Sequence, residues 1–204
     1  MKRVTDKQYF TYSAYTAGTS GICVKCPNCR GLAVVTADKD NARFKCTNCG
    51  RSKEKSLTIF RYDVHNHCRA CGRYYRVDIT GEEKQHFHAI HTACPYCGTV
   101  MSGNVQKTAK GVYAGGEIRN GCEPYFGLEL WFLDYFDNKP VWAVNREHLA
   151  YLIEYLSADL RERPAGYKYT STKTQADHLP AFMKTAKNRE RIVKILKDMQ
   201  KNLT

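Results

Sequence analysis

Cys26-Pro27-Asn28-Cys29, Cys46-Thr47-Asn48-Cys49, Cys68-Arg69-Ala70-Cys71 and Cys94-Pro95-Tyr96-Cys97 hold eight of the ten cysteines of this 204-residue chain. Two thiolates separated by two residues can grip one edge of a tetrahedral ion, and a second pair from elsewhere completes the site. Four pairs therefore predict two four-cysteine sites. An all-thiolate tetrahedron selects zinc or iron, and zinc is the expected occupant, one ion per site, because it carries no redox hazard. Gly50, Gly72 and Gly98 directly follow the second cysteine of three pairs. A positive φ there turns backbone N–H groups toward the sulfurs, and glycine takes that conformation without steric cost. Pro27 and Pro95 stiffen the first turn of their knuckles.

The order of the pairs sets their partners. Eighteen residues separate Cys49 from Cys68, which suits two sequential modules better than an interleaved, cross-braced one. Sequential pairing assigns Cys26, Cys29, Cys46 and Cys49 to one ion and Cys68, Cys71, Cys94 and Cys97 to the other. The sixteen and twenty-two residues inside each module fit a short antiparallel hairpin between knuckles. In the first, Leu32, Val34 and Thr36 precede a turn at Asp38-Lys39-Asp40-Asn41, and Ala42-Arg43-Phe44-Lys45 returns to the second knuckle. The N-terminus, Met1-Lys2-Arg3-Val4-Thr5-Asp6-Lys7, shows no apolar leader core, and no apolar run reaches membrane-spanning length. The expected location is thus cytoplasmic, where thiols stay reduced and paired cysteines act as ligands rather than bridges. Cys94-Pro95-Tyr96-Cys97 matches the active-site tetrapeptide of glutaredoxins, but the glycine-rich residues that follow make a poor helix start, which that chemistry needs.

His65, His67, His86, His88 and His91 fall in the second module. They are expected to decorate a hairpin surface or to stand just outside the metal ligands. The alternative is a metal-dependent nuclease using His86, His88 and His91, although no helix follows that would complete such a motif. Cys23 and Cys122 are expected as small, partly buried residues.

Beyond residue 124 the composition changes. The aromatic run Pro124 to Phe136, a turn at Asp137-Asn138-Lys139 and the strand Val141-Trp142-Ala143-Val144 predict a hairpin. Asn145 is placed to cap a helix whose apolar stripe is Leu149, Leu152, Ile153, Leu156 and Leu160, stopped by Pro164 near Arg163. A polar loop from Pro164 to His178 precedes a last helical region starting at Leu179-Pro180. Asn188 is expected to cap its second part, and Ile192, Ile195, Leu196, Met199 and Leu203 form its stripe. The predicted class is α+β, with an N-terminal arm over 1–21, metal-binding modules over 22–60 and 61–123, and a C-terminal hairpin-plus-helices domain over 124–204. Tyr9, Phe10, Tyr12 and Tyr15 in the arm predict either a strand or a segment that orders on a partner.

The two modules resemble the broad zinc-ribbon class of transcription and replication factors, which implies binding but no particular partner. The segments Pro124–Trp131, Trp142–Leu149 and Leu179–Glu190 resemble a C-terminal element of bacterial zinc-ribbon proteins with little functional description, to which no activity attaches.

The chain carries 32 Lys and Arg against 20 Asp and Glu, a net charge of +12. Residues 1–60 hold a surplus of +7, and the tail from His178 onward +5. Such clusters attract phosphate backbones with salt-sensitive, sequence-independent affinity. Lys25, Arg30, Arg43, Lys45, Arg51, Lys53 and Lys55 surround Phe44 in sequence, and cations around an exposed ring suit single-stranded nucleic acid. Arg30, Arg43, Phe44, Lys45, Arg51 and Lys53 are the expected contact residues of a non-enzymatic nucleic-acid-binding protein working within a complex, with DNA and RNA both open. The alternative partner is a protein, docked on an aromatic hairpin of Tyr125, Phe126, Trp131 and Trp142.

Overall fold

A computed structural model of the chain describes residues 2–6, 20–81, 83–162 and 174–201. Strand β1 (Arg3–Thr5) is followed by β2 (Ile22–Lys25), β3 (Leu32–Ala37), β4 (Asn41–Cys46) and β5 (Ser52–Ser56). The last four form one antiparallel sheet in sequence order. Cys26–Cys29 turns β2 into β3 and Cys46–Cys49 turns β4 into β5, so both knuckles lie at one end of the sheet. At the other end the Asp38 carboxylate accepts from the Asp40 and Asn41 N–H groups at 2.9 and 2.7 Å, closing the predicted turn. Inward and outward positions alternate along β2, β3 and β4, while the edge strand β5 is exposed throughout. Ala33 and Val35 are buried on the core face, and Leu32, Val34 and Thr36 are half-buried on the other.

The second module begins with β6 (Thr58–His67), β7 (Tyr74–Asp78) and a 3₁₀ turn at Glu83–His86. It continues with β8 (Ala89–Ala93), β9 (Val100–Asn104) and β10 (Gln106–Val112). Two hairpins, β6–β7 and β8–β9, are each turned by a knuckle, and β10 returns antiparallel beside β6. Tyr75 is buried with Cys68 and Cys94, and Val77 and Met101 pack against this small cluster. β9 approaches β6 so closely that a Cβ on Gly103 would overlap Val64 Cγ1, a site where only hydrogen fits.

The remainder comprises β11 (Phe132–Phe136), β12 (Lys139–Ala143), α1 (Arg146–Ser157), β13 (Leu160–Glu162), a short α2 (Ala181–Lys184) and α3 (Arg189–Lys201). β11 and β12 pair antiparallel, with Phe136 opposite Lys139. The two-residue turn, Asp137 at φ 47° and Asn138 at φ 61°, needs left-handed backbone at both positions, as type I′ hairpins do. Asn145 caps α1 as expected, its side-chain oxygen accepting from the His148 N–H at 2.9 Å. Leu149, Leu152 and Leu156 of α1 and Ile192 and Leu196 of α3 are fully buried where the two helices pack.

Three expectations are corrected here. The run from Pro124 is not continuous strand, because β11 starts at Phe132 and residues 124–128 make a tight turn. α1 ends at Ser157, well before Pro164. Leu160 leaves the helical stripe for β13, because β13 pairs parallel with β1 (Arg3 opposite Leu160) and the Lys2 carbonyl accepts from Asp159 N–H at 2.9 Å. Asn188 does not cap α3 but donates its amide to the Phe182 carbonyl at 3.0 Å. Tyr9, Phe10, Tyr12, Tyr15, Arg163, residues 164–173 of the predicted loop and Leu203 lie outside the described residues.

The compact units also divide the chain differently from the expected boundaries. Residues 1–56 and 114–204 form one and residues 57–113 the other. In the first unit, Glu129 to Trp131 runs along the free edge of β2. Lys25 N–H donates to the Glu129 carbonyl at 2.8 Å, Trp131 N–H to Cys23 at 2.9 Å, and Cys23 N–H to Val144 at 2.7 Å. A sheet edge left open would expose unpaired backbone groups. The chain covers this one with its own later segment.

Candidate metal centres

Two groups of four cysteines have their sulfurs within 4.8 Å of one another: Cys26, Cys29, Cys46 and Cys49, and Cys68, Cys71, Cys94 and Cys97. These are the sequential sets expected from the spacing, and neither includes a histidine. Across the first site, Cys26 Sγ lies 3.8 Å from Cys49 Sγ and Cys29 Sγ 3.6 Å from Cys46 Sγ. Across the second, Cys68 to Cys97 is 3.5 Å and Cys71 to Cys94 is 3.8 Å. A tetrahedron with Zn–S bonds of about 2.3 Å has S···S edges of about 3.8 Å. The donor sets therefore fit two zinc ions, held by all-sulfur ligation with no open position, the arrangement of structural sites.

One local geometry builds all four knuckles. The N–H of the first cysteine donates to the carbonyl five residues on: Cys26 to Gly31 and Cys46 to Arg51 at 2.8 Å, Cys68 to Arg73 and Cys94 to Thr99 at 2.9 Å. The residue after the second cysteine is left-handed in each, Gly50 and Gly72 at φ 71° and Gly98 at 74°. The first knuckle, which lacks the glycine, places Arg30 there at φ 59°, at the steric cost glycine avoids.

The sulfurs of the first site receive additional donors. Cys46 Sγ accepts from the N–H groups of Asn48 and Cys49, both at 3.4 Å. Each knuckle's asparagine reaches across, Asn28 Nδ2 to Cys49 at 3.8 Å and Asn48 Nδ2 to Cys29 at 3.6 Å. Ala70 and Tyr96 occupy the equivalent positions of the second site, where the Thr99 hydroxyl sits 3.3 Å from Cys97 Sγ. As free thiols, Cys49 is drawn down to about 6, first by a backbone N–H bond from Arg51, and Cys97 to about 6, first by the Thr99 hydroxyl. Cys46 and Cys71 are pushed up to about 11. Backbone N–H groups of Cys49 and Arg73, respectively, favour their thiolates, but burial and the neighbouring cysteines outweigh them. Replacing Asn28 and Asn48 together by alanine should weaken zinc binding at the first site roughly 10–100-fold, the usual effect of losing outer-shell partners. Competition with a chromophoric chelator reads this directly, and an unchanged affinity would show that the asparagines do not support the thiolates.

The expected nucleic-acid residues divide into three groups. Phe44 is 4% exposed, its ring edge-on to Phe126 with centroids 6.4 Å apart. It is a core residue with no face for a base, because the alternation of β4 turns it inward between exposed Arg43 and Lys45. Arg43 is held by Asp38 at 2.6 Å and Glu54 at 3.0 Å, and Arg30 by Glu129 at 3.4 Å. Lys25 pairs with the same glutamate, which is held below the ordinary carboxylate range chiefly by that lysine. Lys55 donates to the Tyr125 carbonyl at 3.1 Å. Lys45, Arg51 and Lys53 are exposed and make no ion pair among the described residues. Register sets Lys45 opposite Ser52 and Lys53 opposite Phe44, so Lys45 and Lys53 leave opposite faces of the sheet, and what the three cations share is their place at the knuckle end of its β4–β5 edge.

His86, His88 and His91 are exposed. Of the hairpin aromatics, Tyr125 is buried and Phe126, Trp131 and Trp142 are half-buried. Cys23 and Cys122 are half-buried thiols, and burial raises the Cys23 pKa.

Among the buried polar residues that escaped the sequence reading are His148 and Glu123. His148 accepts from Val144 N–H at 3.2 Å through Nδ1, and burial pushes its pKa down to about 3, so it is neutral. Glu123 sits inside the turn that follows it, its carboxylate accepting from the N–H groups of Tyr125, Phe126 and Leu128 at 2.6–3.1 Å. A glutamate just before a Pro-Tyr-Phe-Gly turn was the available signal for the latter.

The chain is thus a protein with tandem zinc-ribbon-like modules. Searches against protein-family models, curated proteins and solved structures find no match to it. Among the described residues no helix is long and apolar enough to cross a membrane.

Proposed function

We propose that this is a non-enzymatic, cytoplasmic nucleic-acid-binding protein of bacterial zinc-ribbon type, in which zinc rigidifies two small β modules that present cations to phosphate. The observation that supports it is the split among the first ribbon's cations. Lys25, Arg30 and Arg43 are paired with acids, whereas Lys45, Arg51 and Lys53, at the knuckle end of the β4–β5 edge, are exposed with no acidic partner among the described residues. Uncompensated cations concentrated on a rigid edge create a local positive potential, which a phosphate chain meets by releasing condensed counterions.

Converting Lys45, Arg51 and Lys53 to glutamine should weaken binding to a single-stranded oligonucleotide and flatten the salt slope by about two, at ~0.7 per lost phosphate contact. Fluorescence anisotropy across a salt series measures both. A wild-type protein that binds neither DNA nor RNA at roughly 50 mM salt, where phosphate contacts are strong, would defeat the proposal. A protein partner would then be the reading to pursue.

A further inference from the structure

Among the described residues of the second module, the outer face of the β6–β7 hairpin carries exposed aromatic surface beside its knuckles. Tyr74 is 52% exposed. It lies opposite His67 in the register, its ring 5.4 Å from that of His67 and 6.1 Å from that of His65. The residue before it, Arg73, sets its guanidinium 5.2 Å from the ring centroid of Tyr96, which is 56% exposed in the second knuckle. Arg69, in the first knuckle, is exposed as well. Neither Arg69 nor Arg73 has an ion pair among the described residues, and no Asp or Glu occurs from Val64 to Val77 or from Lys84 to Gly116. The nearest acid along β6, Asp63, is fully buried and answered by Arg76 at 2.6 Å and His65 at 3.0 Å.

Tyr74 and Tyr96 thus combine open ring surface with arginines that have no acidic partner among the described residues. Ring faces accept unstacked bases of any sequence, and guanidinium groups answer the intervening phosphates. Duplex nucleic acid keeps its bases stacked inside and offers such rings nothing. From this juxtaposition we infer that the knuckle end of the second ribbon is a base-stacking platform for single-stranded nucleic acid, with Tyr74 and Tyr96 as the stacking residues and Arg69 and Arg73 as the phosphate contacts. This rests on the nucleic-acid reading above, but moves the stacking role expected of buried Phe44 to a different module.

The test measures full-length, zinc-loaded protein against a single-stranded oligonucleotide and its duplex, with zinc content and amide dispersion as controls for folding. Tyr74→Ala and Tyr96→Ala should each weaken single-strand binding roughly tenfold, leave the salt slope unchanged and leave the weaker duplex binding unaltered. Tyr74→Trp should retain or strengthen single-strand binding. Arg69→Gln with Arg73→Gln should flatten the slope by about 1.4, at ~0.7 per contact. If the wild type binds and the Lys45, Arg51 and Lys53 variant loses affinity while both tyrosine variants bind as wild type, the platform is refuted and the basic edge stands. Equal affinity of the wild type for single strand and duplex would also refute the platform. A protein that binds no oligonucleotide, but loses a co-purifying protein on Tyr74→Ala, would refute both readings.

Discussion

A fragment comprising residues 57–113 should fold with one equivalent of zinc, while a fragment ending at Ser56 should fail to form a stable ribbon despite holding all four of its ligands. The full chain should carry two equivalents. The second module completes its own set of cysteines, and its hairpins, core and returning strand all lie within 57–113. The first depends on later sequence. Leu130 bridges Val24, the Glu129 carbonyl and Trp131 N–H pair with β2, and Phe126 packs on Phe44. Cutting at Ser56 strips those partners from a sheet too small to bury its face alone. Zinc binding at such sites is itself folding free energy, of order ~10–16 kcal/mol per structural site. Chelating the metal should therefore abolish the dispersed amide spectrum of the 57–113 fragment. Elemental analysis giving one zinc per full chain, or a dispersed spectrum that survives chelation, would contradict the two structural sites.

Glu123→Ala should destabilise the first unit by about 4 kcal/mol or more. The carboxylate is 1% exposed and satisfies three N–H groups of the 123–128 turn that no strand supplies with acceptors. Hydrogen bonds to a buried charge are worth ~1.5–3 kcal/mol each, and donors left dry cost ~1–3 kcal/mol each. Glu123→Gln keeps one carbonyl oxygen and should lose less. Urea unfolding followed by tryptophan fluorescence is suited to this comparison, since Trp131 and Trp142 both belong to that unit. A loss under about 1 kcal/mol for the alanine variant would mean water replaces the carboxylate, which its burial argues against.

The metal sites were legible because their information is local. A Cys-x-x-Cys knuckle with a following glycine specifies its own backbone, and the two intervals between knuckles are short enough to fix which pairs share an ion. The Asn145 cap and the Asp137-Asn138 turn were legible for the same reason, since each is set by the conformational preference of a residue or two. α1 was right in phase and wrong in length. A stripe of leucines at helical spacing cannot show that Leu160 will pair with Arg3, far away in sequence, because backbone pairing is cooperative with the partner's position and not with the residue's own propensity.

The surface chemistry was the least legible part. Seven cations clustered around Phe44 in sequence describe a binding face only if they share one side of the sheet and lack counterions. Neither condition is local. Strand alternation turned Phe44 into the core, and Glu129, some hundred positions from Lys25 and Arg30, came back beside β2 to pair with both. Asp38 and Glu54 did the same for Arg43. By itself the sequence determined where zinc binds, how the ligands pair and which short turns close the strands. Tertiary structure decided which charges remain uncompensated and which aromatic rings reach solvent, because burial and ion pairing depend on segments the folded chain brings together from distant positions.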